Sequence, residues 1–218
     1  TAAKPVTLTP EAQWDRLRLE IRILEAGRQM DLAIAGAEQL RRIADTEGLA
    51  TRRPESAALL GRLLLASGQG ARAVSALEEN LAAAVPVAFR IDAVRNLSDW
   101  WVTQGQLSLA RERLEGITVG LGQDPSVGAL RLRLGQIHLR EYLARRGTNQ
   151  AGPITAELTT LLARAVAELD KAASVNPPSE VQGSLALTLA WCRWEEALAT
   201  NSKAIMAQAL KGFETAIA

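Results

Sequence analysis

The stretch LGRLLLASGQGARAVSALEENL, residues 60–81, places two apolar runs with helical spacing on either side of Gly68-Gln69-Gly70. Glycine pairs of this kind occur in loops that bind phosphate and in turns between helices. A phosphate loop follows a β-strand and carries a third glycine, or Gly-Lys-Ser/Thr, where the next helix begins. Neither feature is present, so the stretch predicts a helical hairpin whose turn uses the backbone freedom of glycine.

The same pattern recurs 37 residues further along the chain. The first copy consists of Leu60-Gly61, Leu64, Gly68, Ala73, Leu77 and Pro86, and the second of Leu97-Ser98, Trp101, Gly105, Ala110, Leu114 and Pro125. Repeats with a period of about 20–50 residues indicate stacked supersecondary units. We therefore expect an all-α array of about ten helices, with no sheet.

This pattern resembles the tetratricopeptide repeat (TPR) family, in which W-x2-L-G-x2-Y and A-x3-F-x2-A flank a turn glycine. Parts of it return at Trp14 with Leu17, at Leu134-Gly135, at Ala165, Leu169, Ala172 and Pro177, and at Ala209, Phe213 and Ala216. The resemblance implies a right-handed α-solenoid of about five antiparallel hairpins in one domain, residues 1–218. The expected units are 9–47, 54–86, 88–123, 125–177 and 179–218.

The repeats are longer than the family's usual length of about 34 residues. Steps of 40, 37, 55 and 44 residues separate the small positions Ala33, Ala73, Ala110, Ala165 and Ala209. Longer repeats also resemble the kinesin-light-chain type of array. The 55-residue step predicts that both helices of the fourth hairpin lengthen towards the turn GTNQAGP. Residues 147–152 of this turn are a candidate contact for a partner, and plain structural elongation of the hairpin is the alternative.

Helix starts are legible in three places. Thr9 before Pro10, and Asp124 before Pro125, are typical of a cap followed by proline in the first turn. Ser179 with Gln182 three residues later predicts a capping box.

Composition excludes several classes of function. The 25 basic and 24 acidic side chains nearly cancel, so no global field attracts nucleic acid or an anionic membrane. One cysteine and one histidine leave no disulfide framework and no multi-cysteine metal site, so we expect no metal and no cofactor. No apolar stretch approaches the roughly 20 residues of a membrane span. Because the sequence starts at Thr1 without a methionine, removal of an initiator or of a signal peptide is an expectation, and the sequence does not distinguish the two; the cytoplasm is slightly favoured over the periplasm.

Two residues with catalytic potential are assigned to packing. His138 lies on the same helical face as Leu134 and near Tyr142, and a lone general base still needs a positioned partner. Cys192 lies between two tryptophans and is expected to be a small buried apolar residue. No catalytic residue is assigned, and we expect the chain not to be an enzyme. An enzyme would need a deep pocket that holds His138 with a carboxylate.

The TPR resemblance implies a concave groove lined by the first helix of each hairpin. At the matching positions the side chains are a polar mixture suited to an extended segment or a helix, and the same positions suit ordinary solvated surface equally: Arg62, Arg95, Asp99, Gln136 and Arg140. Trp100 and Trp194 are candidate aromatic anchors. For Trp191 and Trp194, which share a helix face, packing in the core is the competing interpretation.

The sequence therefore predicts a protein-interaction scaffold or adaptor that binds a protein or peptide through its groove. One alternative is a kinesin-light-chain-like adaptor on a cytoskeletal filament. Another is a helical-repeat sensor for a small molecule or nucleic acid, which a basic groove would favour. Because the terminal helix has an apolar face and no polar cap, we expect its exposed flank to contact more of the natural chain, a second copy through self-association, or a partner.

Overall fold

The computed structural model describes residues 8–121, 126–147 and 154–217, which form ten α-helices and no strand. The helices are α1 Pro10–Ala26, α2 Met30–Thr46, α3 Arg53–Ala66, α4 Gly70–Glu78, α5 Val87–Thr103, α6 Leu107–Leu121, α7 Val127–Arg146, α8 Ala156–Ser174, α9 Ser179–Thr200 and α10 Lys203–Ile217. A single 3-10 turn, Glu79–Leu81, follows α4. Within the described ranges, no helix is long and apolar enough to cross a membrane.

The chain divides into two compact units, residues 1–100 and 101–218, and the boundary lies inside α5. In the first unit α1 packs on α2, α2 on α3, and α3 on α4. In the second unit α7 packs on α6, α8 and α9, α8 packs on α9, and α9 packs on α10. The organisation as one repeat domain with five units stays a prediction.

The core of the first unit is built on the helical stripe of α1 that the sequence predicts. Trp14 and Ile21 are completely buried, and Leu17 and Leu24 pack against the same cluster. Two helices that cross closely need small residues at the point where they cross. A Cβ on Gly61 would lie 2.4 Å from Leu77 Cγ, so the two helices of the second hairpin approach too closely for any larger residue.

The turn glycines adopt the conformation that the opening stretch predicts. Gly68 and Gly105 have φ values of +77° and +74°, in the left-handed region that favours glycine. The first hairpin uses Arg28 for the same purpose, with φ +57°. In the second hairpin Gly61 lies seven residues before the turn residue Gly68. In the first hairpin the residue seven positions before the turn residue Arg28 is Ile21, so Ile21 corresponds to Gly61. By this count, the repeat pattern of the first hairpin begins one helical turn later than the match at Trp14 and Leu17 suggests.

The helix starts follow the sequence signals only in part. Thr9 caps α1, because its Oγ1 accepts a hydrogen bond from the Ala12 backbone N–H at 3.3 Å. The predicted capping box at Ser179 is wrong: α9 begins at Ser179, Pro178 occupies the cap position, and Gln182 Nε2 donates to the Pro177 carbonyl at 3.0 Å. The proposed start at Asp124 lies outside the described residues.

The fourth hairpin is long in both helices, as the 55-residue step predicts. Helices α7 and α8 have 20 and 19 residues, compared with 14 and 9 for α3 and α4. A Cβ on Gly135 would lie 2.6 Å from Leu169 Cγ, so a small residue again marks the crossing of the two helices. Except for Gly147, the predicted contact turn lies outside the described residues.

Candidate functional site

The first helices of the first unit form a pocket of about 410 Å³. Its lining comes from α1, α3 and the start of α5 and combines three arginines and three acids with an apolar floor: Arg18, Arg22, Glu25, Glu55, Ala58, Leu59, Arg62, Ala88, Phe89 and Asp92. In each helix these residues are one, three or four positions apart, so they lie on one side of it. The sequence predicted only Arg62 of this set.

Two ion pairs organise the charged rim of this pocket. Arg62 donates to both carboxylate oxygens of Glu25, with a distance of 3.0 Å between Nη2 and Oε2. These hydrogen bonds hold the pKa of Glu25 below its ordinary value, although partial burial acts the other way. Arg18 Nε lies 2.9 Å from Glu55 Oε1. The pairs join α1 to α3 twice, so these two arginines and two glutamates are held in position before any ligand arrives.

Arg95 and Asp99 lie further along α5. Arg95 Nη2 lies 2.5 Å from Asp92 Oδ1, and Asp92 lines the pocket, so Arg95 is one ion pair removed from it. Asp99 is exposed. Of the sequence-predicted residues, the structure thus brings Arg62 into the pocket and Arg95 beside it.

Gln136 and Arg140 belong to α7, in the second unit. Gln136 Nε2 lies 3.4 Å from Ser184 Oγ and 3.5 Å from Thr188 Oγ1, so this side chain links α7 to α9. Arg140 is exposed. Burial, with the charge of Arg140 nearby, lowers the pKa of Arg133 on the same helix. The role of Gln136 and Arg140 as partner contacts stays a prediction.

The solvent exposure of the tryptophans differs from what the sequence indicates. Trp100 is half-buried because its ring lies over Gly70, where a Cβ would come within 2.1 Å of the ring. Trp194 is half-buried with its ring centroid 6.4 Å from that of Phe213, and Trp191, at 5.5 Å from Phe213, is 49% exposed. The ring of Trp191 is therefore more exposed to a partner than the rings of Trp100 and Trp194. The spacing of Leu187, Trp191, Trp194 and Leu198 along one helix face is the sequence signal that could have indicated it.

The residues with catalytic potential are packed. His138 is 3% exposed, its Nδ1 lies 3.7 Å from Glu141 Oε2, and burial lowers the pKa of its imidazole. Cys192 is completely buried, and burial raises the pKa of its thiol to about 12. Within the described residues, no group of three or more His, Cys, Asp or Glu is placed to hold a metal ion. That the chain is not an enzyme stays a prediction.

A second groove, of about 540 Å³, runs between α8 and α9. Aliphatic side chains form most of its lining, among them Leu162 and Val166. Charged groups stand at its edge, where Arg193 Nη1 lies 2.8 Å from Glu196 Oε2 and Nη2 lies 3.9 Å from Asp170 Oδ2. The groove thus offers an apolar lining beside fixed charges.

The fold is an all-α solenoid of TPR-like helical hairpins, as predicted, and solved TPR structures match it along almost the whole chain. A monomeric mutant of IFIT1 solved with Gppp-AAAA aligns with a TM-score of 0.62 and 16% identity, over 96% of this chain and 42% of that one. MamA RS-1 aligns with 0.58 and 14% over 93% and 95%, and MamA AMB-1 with 0.56 and 17% over 92% of both chains. No family model matches the chain, and no curated protein matches it.

Proposed function

We propose that this chain is a protein-interaction scaffold or adaptor that holds a segment of a partner protein in the pocket on α1, α3 and α5. The observation that carries the proposal is the lining of that pocket, in which three neighbouring first helices present fixed charges of both signs around Leu59 and Phe89. Extended peptides are recognised in this way, through an apolar side chain on a floor and polar groups that fix its orientation. The fold shared with IFIT1 and MamA is compatible with a binding role.

The balance of charge favours a protein segment over nucleic acid. A phosphate backbone is held by a surplus of arginine and lysine, whereas this pocket carries as many carboxylates as guanidinium groups. Arg62 and Arg18 are both paired with glutamates. A segment with one large apolar residue between an acidic and a basic residue complements such a pocket. Gln136 and Arg140 are proposed as further contacts on α7.

The test compares one pocket variant with one surface control. Arg62→Glu with Phe89→Ala reverses a fixed charge and removes part of the floor. Arg72→Glu makes the same charge change on α4, where Arg72 pairs with Glu38 outside the pocket. Proteins captured by the wild type are identified by mass spectrometry, and their affinities are measured by calorimetry.

We expect the pocket variant to bind the captured partner at least about 10-fold more weakly, and the control to bind like the wild type. Equal affinities for all three chains would exclude this pocket. A kinesin-light-chain-like adaptor would be distinguished by a cytoskeletal or cargo protein among the captured partners.

A second candidate is the small-molecule sensor, which the α8–α9 groove favours. An apolar lining with convergent charges at the edge suits a compact hydrophobic ligand that carries a polar group. A thermal-shift screen with the wild type and with Ala163→Trp, which fills the groove, tests this function. A ligand that stabilises the wild type and not the variant supports it, and equal stabilisation of both excludes it.

A further inference from the structure

Helix α9 carries an apolar stripe that its packing against α7, α8 and α10 leaves partly exposed to solvent. Leu187, Trp191, Trp194 and Leu198 follow one another at intervals of four, three and four residues, so they share one face. The ring of Phe213 on α10 continues this surface, because it makes edge-to-face contacts with both tryptophans. We name this surface the α9–α10 face and define it by Leu187, Trp191, Trp194, Leu198, Leu210 and Phe213.

The remaining sides of α9 are already in use. Leu185 and Cys192 are buried in the cluster shared with α7 and α8. Ala190 lies against α10, where a Cβ on Gly212 would come within 2.9 Å of it. The α9–α10 face, in contrast, leaves Trp191 and Leu210 about half exposed, at 49% and 51%. Exposed clusters of large apolar side chains mark interaction sites.

The packing of α9 itself shows what kind of element fits such a face. Within the second unit, α9 is the first helix of its hairpin, and it lies on the preceding pair α7–α8 with an apolar stripe. Hairpin arrays repeat this contact, with each first helix covering the pair before it. The α9–α10 face is therefore shaped for the apolar stripe of another first helix.

The chain carries a first helix with such a stripe in its other unit. In α1, Ala12, Leu19, Ile23 and Ala26 are spaced by seven, four and three residues, and Leu19 and Ile23 are 59% and 71% exposed. This stripe lies away from Trp14 and Ile21, which form the core. With 17 residues, α1 is about 25 Å long, comparable with the 15 residues of α10. A net charge of +1 leaves little repulsion between two copies.

We propose that the chain associates head to tail, with the α1 stripe of one copy seated on the α9–α10 face of the next. The two surfaces differ, so the contact is heterologous, and each pair keeps one unused α1 stripe on one copy and one unused α9–α10 face on the other. Assembly therefore continues beyond the dimer until a ring closes or a filament forms. This inference does not depend on the pocket of the first unit.

The experiment measures molar mass by light scattering after gel filtration of the full chain, from about 5 to about 500 µM. The wild type is expected to rise with concentration beyond twice its monomer mass of 23.4 kDa. The variants are Trp191→Glu with Leu198→Glu on one face, and Leu19→Glu with Ile23→Glu on the other. Each is expected to weaken association about 100-fold or more, because a charge then has to be buried at the contact.

Mixing the two variants gives the decisive result. Each retains the face that the other has lost, so a 1:1 complex should form and grow no further. Val119→Glu, at an 85% exposed position on α6, is the matched control and should assemble like the wild type. Circular dichroism checks the fold, and the single changes Ile23→Lys and Trp191→Lys replace any double variant that unfolds.

A wild type that stays monomeric throughout this range overturns the proposal. So does an α1 variant that still dimerises by itself, because the α9–α10 face would then pair with its own copy. A mixture of the two variants that forms no complex also overturns the proposal.

Discussion

Replacing Arg146 by methionine tests whether one buried ion pair fastens α7 to α9. Arg146 Nη1 lies 2.5 Å from Glu195 Oε2, and the side chains are 6% and 5% exposed. The Tyr142 hydroxyl donates to the same carboxylate oxygen at 3.0 Å and accepts a hydrogen bond from Arg146. Burial raises the pKa of Tyr142, so the phenol stays neutral and keeps its proton for Glu195.

The expected loss follows from what the change leaves behind. Arg146→Met removes the cation and leaves the Glu195 carboxylate buried, with Tyr142 as its remaining partner on α7. Breaking a buried pair in this way costs about 3–5 kcal/mol, which is a large part of the stability of a domain. Removing both charges, with Arg146→Met and Glu195→Leu together, should cost less than the sum of the single changes by about 2 kcal/mol or more.

The measurement is urea unfolding, followed by circular dichroism and by tryptophan fluorescence. Arg145→Met is the matched control, because Arg145 is the neighbouring residue and its pair with Glu157 is exposed on both sides. An exposed pair contributes less than about 1 kcal/mol. Equal losses for the two methionine variants, or additive losses for the double variant, would refute the reasoning.

Three further predictions follow from single contacts. Gly70→Ala should cost about 1–3 kcal/mol by urea unfolding, because its Cβ would meet the Trp100 ring at 2.1 Å, and adding Trp100→Leu should recover part of this loss. With its thiol pKa raised to about 12 by burial, Cys192 should resist iodoacetamide at pH 8 in the native chain and react in urea; equal rates would contradict its burial. Burial lowers the pKa of His138, so the unfolded chain binds its proton more readily, and stability should be full above about pH 6.5 and fall below it. As the only histidine, His138 should account for the fall between pH 7 and pH 5.5, and His138→Gln should abolish it.

Local signals in the sequence predicted the helices and their turns because each depends on residues close in the chain. Gly68 and Gly105 directly indicate turns, and the length of α7 and α8 follows from the 55-residue step between Ala110 and Ala165. In the first hairpin no glycine marks the left-handed position, because Arg28 adopts that conformation. The predicted capping box is wrong although Ser179 and Gln182 satisfy the pattern, because Gln182 reaches the carbonyl of Pro177.

Contacts between elements were much harder to predict. Nothing local to Gly70 indicates that the ring of Trp100, thirty residues later, lies against it. Arg62 could be placed on the first-helix side of its hairpin, but its pairing with Glu25 requires the register of α1 against α3. Aromatic residues show the same limit, since packing between α9 and α10 decides how much of each ring is exposed.

The pairing inside the pocket also determines how it would select a partner. Because Arg62 already binds Glu25, a carboxylate from a ligand has to compete with Glu25 and gains only the difference between two similar ion pairs. The net electrostatic gain is therefore small, and most of the affinity has to come from apolar contact with Leu59 and Phe89. The charges still discriminate, since a segment that places like charge against Arg62 meets repulsion without any pair to replace it. Weakening the floor should thus lower affinity for every ligand, whereas reversing the charge at Arg62 should change which ligands bind.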